Sequence, residues 1–493
     1  MNNFLIFIYL NSEIVTFFII NVFIIIYFIE RLIFNSKELD IKYIYLLSIL
    51  FILLLYLLYS NSPNEVSSIY YLNNYFIYNN FIVFIKEFMI FILLLYFIYY
   101  YNYNNIIKLP FFEYIILILI SFFALQIIII SNNLFIIFLF IELVNLCIYC
   151  LIGLNKYSNI GIECAYKYFI QSAFSTIIGF FALSLLYNSC GTLFINELGL
   201  LISNNNWNII SILGIYLLIL SIFFKLGLFP LHSWIADVYQ GSFLVTVLFI
   251  ATLPKIAYIY LFLKIFIQFY SLIKSFCLII SFITIIYGSL ISLYQTSLKR
   301  LIGYGSMVHV GFIIYSISLY SIESCTASFF YLFFYILLTF FIFTFMLLLY
   351  DSDNNNKLYF IDNISQLNII LNRNKLLAFM FAFILLSLAG LPFFIGFISK
   401  WYIFLSLINK GSYIELFILL IVSIISAAYY IRILRFLFFL NNKNLKIKTF
   451  LNLKYSESLL IYLILLFILN MLIIILHPWI YLLIFKNLIF IIF

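Results

Sequence analysis

Residues 223–242 read FFKLGLFPLHSWIADVYQGS, and this stretch decides the fold. Lys225 sits inside an apolar run, with Pro230 five residues on. Pro230 removes a backbone donor and frees the carbonyl of Leu226, so a helix through Lys225 breaks or kinks just past it. A charge at bilayer depth is costly, faces a protein interior and marks an ion or proton path. Broken helices at that depth are where transporters place ion sites. Apolar residues flank Lys225 on both sides, which fits poorly with a lysine snorkelling to the interface.

The whole chain supports a bilayer setting. Its 493 residues are 67% hydrophobic and 9% charged, more apolar surface than a soluble protein of this length can hide. Fourteen apolar stretches are long enough to span, each needing about 20 residues. They are 14–34, 41–60, 81–101, 111–130, 132–153, 162–187, 208–239, 241–263, 271–294, 301–321, 325–350, 376–408, 412–437 and 457–476. The seventh and twelfth are over-long and contain Pro230 and Pro392, so both are expected to be broken. The tail 477–493 is expected along the interface, with Trp479 as an anchor. The fold class is all-α and polytopic.

Loop charge orients these spans. Seventeen of the 25 Lys and Arg fall in loops on one side. Four fall on the other (Lys264, Lys274, Lys410 and Lys486), and Lys86, Lys225, Lys255 and Lys400 lie within spans. The positive side is expected to be the matrix or cytoplasm, with both termini in the opposite compartment. The net charge of +8 carries no nucleic-acid signature. Abundant Phe, Tyr, Ile, Asn and Lys share A/T-rich codons and point to an organelle or a low-GC bacterium. No Arg-rich transit segment precedes the first apolar run, as expected of a mitochondrially encoded chain.

Glu142, in IELVNLC, joins Lys225 as a mid-span charge, and Asn145 shares its helix face three residues on. Burial disfavours an ammonium and a nearby carboxylate restores it, so a Lys225–Glu142 pair would sit near a protonation tipping point. Lys255 follows Pro254 in ATLPKIAYIY, and Lys400 lies eight residues after Pro392 in AGLPFFIGFISKWY. For each charge the plainer reading is a paired structural group, and for Lys400 also a snorkelling side chain. His309 lies about 13 Å into the tenth span at the standard rise, near mid-membrane, and is read as a relay. His232 and Asp237 are weaker candidates, Asp237 mainly as a helix-end residue. Gln171, Ser172 and Ser175 either line a wet path or pack helices closely. Cys147 and Cys150 form a C-x-x-C with no second pair, read as packing thiols rather than a metal or redox site. No metal-ligand histidine spacing, Ser/His/Asp arrangement or Gly-rich phosphate loop is present in the sequence.

Five tracts in order carry a family resemblance: ECAYKYFIQSAFS, FKLGLFPLHSWIADVYQGS, the Lys225-to-Lys255 spacing, KRLIGYGSMVHVGF and AGLPFFIGFISKWY. They resemble the antiporter-like membrane subunits of respiratory complex I. The lysines at 255 and 400 and the tract WIADVYQG resemble its subunit 2 branch. The resemblance covers about 110–440 and implies inverted five-helix repeats, helices 4–8 and 9–13. The expected segments are 1–110, 111–263, 264–440 and 441–493. It implies a proton-translocating role, with Glu142 and Lys225 resembling the family's input pair, Lys255 its central lysine and Lys400 its terminal lysine. The expected path runs along Glu142, Lys225, Lys255, His309 and Lys400, with Asn145, His232 and Asp237 as candidate accessories. It also implies that this chain binds no cofactor or metal, with NADH, flavin, iron–sulfur clusters and quinone held by partner subunits. The expected partners are other membrane-arm subunits, including neighbouring antiporter-like ones, and lipids, within a hetero-oligomer of the mitochondrial inner membrane. After Gly241 the chain departs from the family: SFLVT stands where a longer, proline-containing tract is usual. Two other readings stand beside this one, a subunit of a cation/proton antiporter and a structural spacer of the membrane arm.

Overall fold

The computed structural model describes residues 69–106, 110–155, 158–203, 208–348, 350–352, 358–360, 363–367, 375–439 and 457–492. The expected spans 14–34 and 41–60, both chain termini and most of the basic loop residues that set sidedness lie outside the described residues.

The described residues hold fourteen α-helices and two short antiparallel hairpins, Ile69–Tyr71 with Phe76–Tyr78 and Tyr350–Ser352 with Leu358–Phe360. Ten helices are long and apolar enough to cross a membrane, and two shorter apolar ones, Lys375–Ala389 and Ile395–Asn409, accompany them. All twelve expected spans that fall on described residues are helical. Lipid offers a backbone no hydrogen bonds, so each span closes its own ladder and polar side chains tie off the ends. Asn133 accepts from the amide of Phe135 at 2.9 Å, Ser158 from that of Gly161 at 3.1 Å, and Ser321 and Ser324 form a reciprocal capping box.

Both expected breaks are present. Ile209–Leu226 stops just past Lys225, Gly227 takes a φ of +73°, and the chain resumes as Trp234–Gly241. Lys375–Ala389 stops before Gly390, which has φ +77°, and Ile395–Asn409 follows. A Cβ on Gly390 would lie 3.0 Å from the Lys400 ammonium, so glycine is needed for both conformation and space. After Gly241 only Ser242 and Phe243 precede the next helix, so the short SFLVT tract is a two-residue link.

Three expectations need correction. The link expected between the eighth and ninth spans is mostly helical: Leu244–Tyr294 is two helices that meet at a kink at Phe269 (φ −112°, ψ 18°), inside the expected link. At about 1.5 Å per residue each 25-residue arm, 244–268 and 270–294, is roughly 38 Å long, enough for one span. The link sequence KIFIQFY has no glycine or proline to stop it, and Lys264 therefore lies in a helix rather than a loop. The tail 477–493 is not separate, because helix Glu457–Ile492 passes through Pro478 without ending. Trp479 on it is 74% exposed. An unanticipated helix, Ile195–Ser203, occupies the stretch between the sixth and seventh spans.

Packing divides the described chain into two compact units. The first holds residues up to Leu226, Gly241–Ile273 and the last residues from Ile489. There Asn159–Cys190 packs on Ile209–Leu226, and Phe111–Ile130 on Leu134–Gly153. The second holds Gly227–Gln240 and Lys274–Leu488. Its core is Leu298–Ser318 and Ile322–Leu347, both almost wholly buried.

In the second unit, Gly396 lets one half of a broken helix meet the other. A Cβ there would lie 1.7 Å from the carbonyl oxygen of Ser387. Gly396→Ala is predicted to cost about 1–3 kcal/mol by overpacking. Thermal unfolding of the detergent-solubilised protein checks this, and an unchanged midpoint would contradict the close approach.

Candidate functional site

In the first unit, helix Leu134–Gly153 carries Glu142, Asn145 and Tyr149 at spacings of three and four, which puts them on one face. Asn145 is fully buried. Its Nδ2 donates to Glu142 Oε2 at 2.9 Å, and its Oδ1 accepts from Lys225 Nζ at 3.0 Å. The expected Glu142–Lys225 pair is therefore joined through an amide, whose oxygen accepts from the ammonium while its nitrogen donates to the carboxylate. No direct ion pair between Glu142 and Lys225 occurs among the described residues. Lys225 is held inward, as its position before the break requires.

Further along the same face the Tyr149 hydroxyl lies 2.5 Å from that of Ser172. Ser175 instead donates to its own helix at the carbonyl of Ser172, 2.7 Å away, which fits a packing role. Lys255 belongs to the same unit and is 4% exposed, on a helix that continues through Pro254. Lys264, nine residues or about two and a half turns further on, donates to the carbonyl of Ser131 at 2.6 Å.

In the second unit Lys400 donates to the carbonyl of Ala389 at 3.1 Å and to Ser426 Oγ at 3.2 Å. The Ala389 carbonyl is one that the helix break releases, and a helix C-terminus attracts a cation. Lys400 thus points into the break, and with 3% exposure it does not snorkel. His309 is 5% exposed, with Nδ1 at 2.6 Å from the Tyr331 hydroxyl and Nε2 at 3.3 Å from that of Tyr430. Asp237 pairs with Arg300 at 3.3 Å. His232 packs among the rings of Phe229 and Tyr287.

The structure thus joins Glu142, Asn145 and Lys225 directly. It hangs His309 and Lys400 on one helix, Tyr413–Phe438, through Tyr430 and Ser426. Sequence reasoning missed Tyr149, Lys264, Tyr331, Ser426 and Tyr430. Helical spacing could have found Tyr149 beside Glu142, and Ser426 four residues before Tyr430. All six cysteines are free, and no group of three or more His, Cys, Asp or Glu able to hold a metal occurs among the described residues.

Buried, internally satisfied charges on broken apolar helices define a multi-pass membrane protein of the ion-translocating class. The family described as NADH:quinone oxidoreductase/Mrp antiporter, transmembrane, matches residues 131–426. The chain is 31% identical to NADH-quinone oxidoreductase subunit N of a Wolbachia symbiont of Brugia malayi, over 70% of this chain and 72% of that one. It is 28% identical to subunit N of Pelagibacter ubique, over 78% and 80%. Among solved structures, a chain of respiratory complex I from Thermus thermophilus with bound aureothin superposes with a TM-score of 0.75 at 20% identity, covering 94% of this chain and 98% of that one. A chain of the Mrp complex from Dietzia superposes with a TM-score of 0.80 at 15% identity, over 97% and 96%. These structural likenesses concern the fold. The chain belongs to the NADH:quinone oxidoreductase/Mrp antiporter family of membrane subunits.

Replacing Asn145 with Leu keeps its approximate size and removes both hydrogen bonds. The variant is predicted to lose about 1–3 kcal/mol, the cost of leaving buried charged groups unsatisfied. Thermal unfolding of Asn145→Leu beside Asn145→Asp tests this, since aspartate can still accept from Lys225.

Proposed function

We propose that this chain is the subunit N, or subunit 2, member of a proton-translocating NADH:quinone oxidoreductase. The observation that carries the reading is the Glu142–Asn145–Lys225 link, an acid and a base held apart and buried within apolar helices. The two relatives described above are both subunit N, which favours this reading over a cation/proton antiporter.

Protons move by charge shifts along Glu142, Lys225, Lys255, His309 and Lys400, with waters between stations. Asn145 couples the first two. Asp237 serves its helix through Arg300, and His232 is an accessory at the break. Electron transfer occurs elsewhere: NADH, flavin, iron–sulfur clusters and quinone belong to partner subunits, and this chain contributes no redox centre. Its partners are other membrane-arm subunits in a hetero-oligomer. The A/T-rich codon palette fits a mitochondrial inner membrane location as it fits a low-GC bacterium, and the loop-charge bias favours both termini on the side opposite the matrix or cytoplasm, the intermembrane space in a mitochondrion.

The experiment is NADH-driven proton uptake or release by sealed vesicles carrying the assembled complex. Glu142→Gln, Lys255→Ala and Lys400→Ala are each expected to lower proton translocation by at least about tenfold, because each removes a proton-exchanging group. Normal assembly with full pumping in Lys255→Ala would favour the spacer reading. Sodium-dependent transport without an associated quinone oxidoreductase would favour the antiporter.

A further inference from the structure

His309 sits midway along Leu298–Ser318 with a phenol at each ring nitrogen. The ring of Tyr335 lies over it at a centroid distance of 5.0 Å. Beside the ring is a cavity of about 10 Å³ lined by His309, Tyr331, Tyr335, Ser387 and Ser399, among others. That is room for about one water, and its walls supply polar partners for one. All of these groups lie in the second unit. Tyr430, at the far nitrogen, stands four residues from Ser426, which holds the Lys400 ammonium. Residues four apart share a helix face.

A neutral imidazole has one N–H donor and one lone pair. Between two hydroxyls it donates to one and accepts from the other, so the three groups have two polarities. We propose that Tyr331, His309 and Tyr430 form a one-proton tautomer relay on the Lys400 side of the path; the inference rests on the proton path proposed above.

The transfer balances as follows. In one polarity the Tyr331 O–H donates to Nδ1, and Nε2–H donates to the Tyr430 oxygen. The Tyr331 proton passes to Nδ1 while the Tyr331 oxygen takes a proton from a protonated water in the cavity. The Nε2 proton passes to the Tyr430 oxygen, and the original Tyr430 hydroxyl proton leaves to a water of the path, which becomes a hydronium ion. One proton enters and one leaves, and the ring ends as its other tautomer. The polarity is now reversed, so a second proton waits until it resets. The relay therefore hands on protons singly and leaves no charge on the ring.

The plainer alternative is that the two phenols only satisfy a buried histidine. His309→Gln separates the two, because an amide both donates and accepts but exchanges no tautomers. Tyr430→Phe removes the exit hydroxyl. Gly305→Ala is a milder probe, since its Cβ would lie 3.0 Å from the Tyr430 hydroxyl and displace it. Each is measured in the assembled complex by native electrophoresis and by NADH-driven proton translocation in sealed vesicles. His309→Gln and Tyr430→Phe are expected to assemble and to slow translocation at least about tenfold, with Gly305→Ala slower than wild type in the same direction. If Tyr430→Phe does not assemble, His309→Gln and Gly305→Ala decide. Wild-type rates in His309→Gln and Gly305→Ala would overturn the relay. Lys400→Ala and Glu142→Gln run alongside: if they also pump normally, the proton path itself falls, and if they alone stop pumping, only the relay falls.

Discussion

In hydrocarbon, every carbonyl that a broken helix releases must find a donor from within the protein. At the second break that donor is Lys400, whose ammonium sits on the Ala389 carbonyl. Much else in the second unit follows from this requirement. Gly390 lacks a side chain because the ammonium occupies that space, and Gly396 lacks one because the two helix halves touch. Ser426 gives the ammonium a second acceptor, which sets the face that helix Tyr413–Phe438 presents to Lys400. The same face carries Tyr430 to His309. A single backbone constraint thereby positions a charge, two glycines and a histidine partner.

The first unit solves a similar problem by other means. Lys225 is the penultimate residue of its helix, and its partner is a side chain rather than a carbonyl. Both solutions leave the lysine inside and satisfied, and both tie its position to a helix end. In each case few hydrogen bonds restrain the ammonium.

The spans were legible because length and hydropathy are local properties, and the breaks because proline and glycine are. The continuation of the helix through Lys264 as far as the kink at Phe269 was not, since hydropathy alone does not mark a helix end and no residue in KIFIQFY stops one. Lys264 was misplaced for the same reason. Glu142, Lys225, Lys255, His309 and Lys400 were recognisable one by one, because each is an unusual residue in its run. Their partners were harder to see. The i, i+3 spacing shows Asn145 beside Glu142, but its bond to Lys225 depends on how two distant helices pack. Tyr331 and Tyr430 are two among 42 tyrosines, and only the fold sets their hydroxyls on His309.

The amide between Glu142 and Lys225 has a mechanical consequence. A carboxamide binds both neighbours but does not trade its own protons at physiological pH. It therefore couples the positions of Glu142 and Lys225 through two hydrogen bonds without itself carrying a proton from one to the other. The link works like a hinge pin: it fixes how far apart the two groups stand and leaves any exchange between them to a path around the amide.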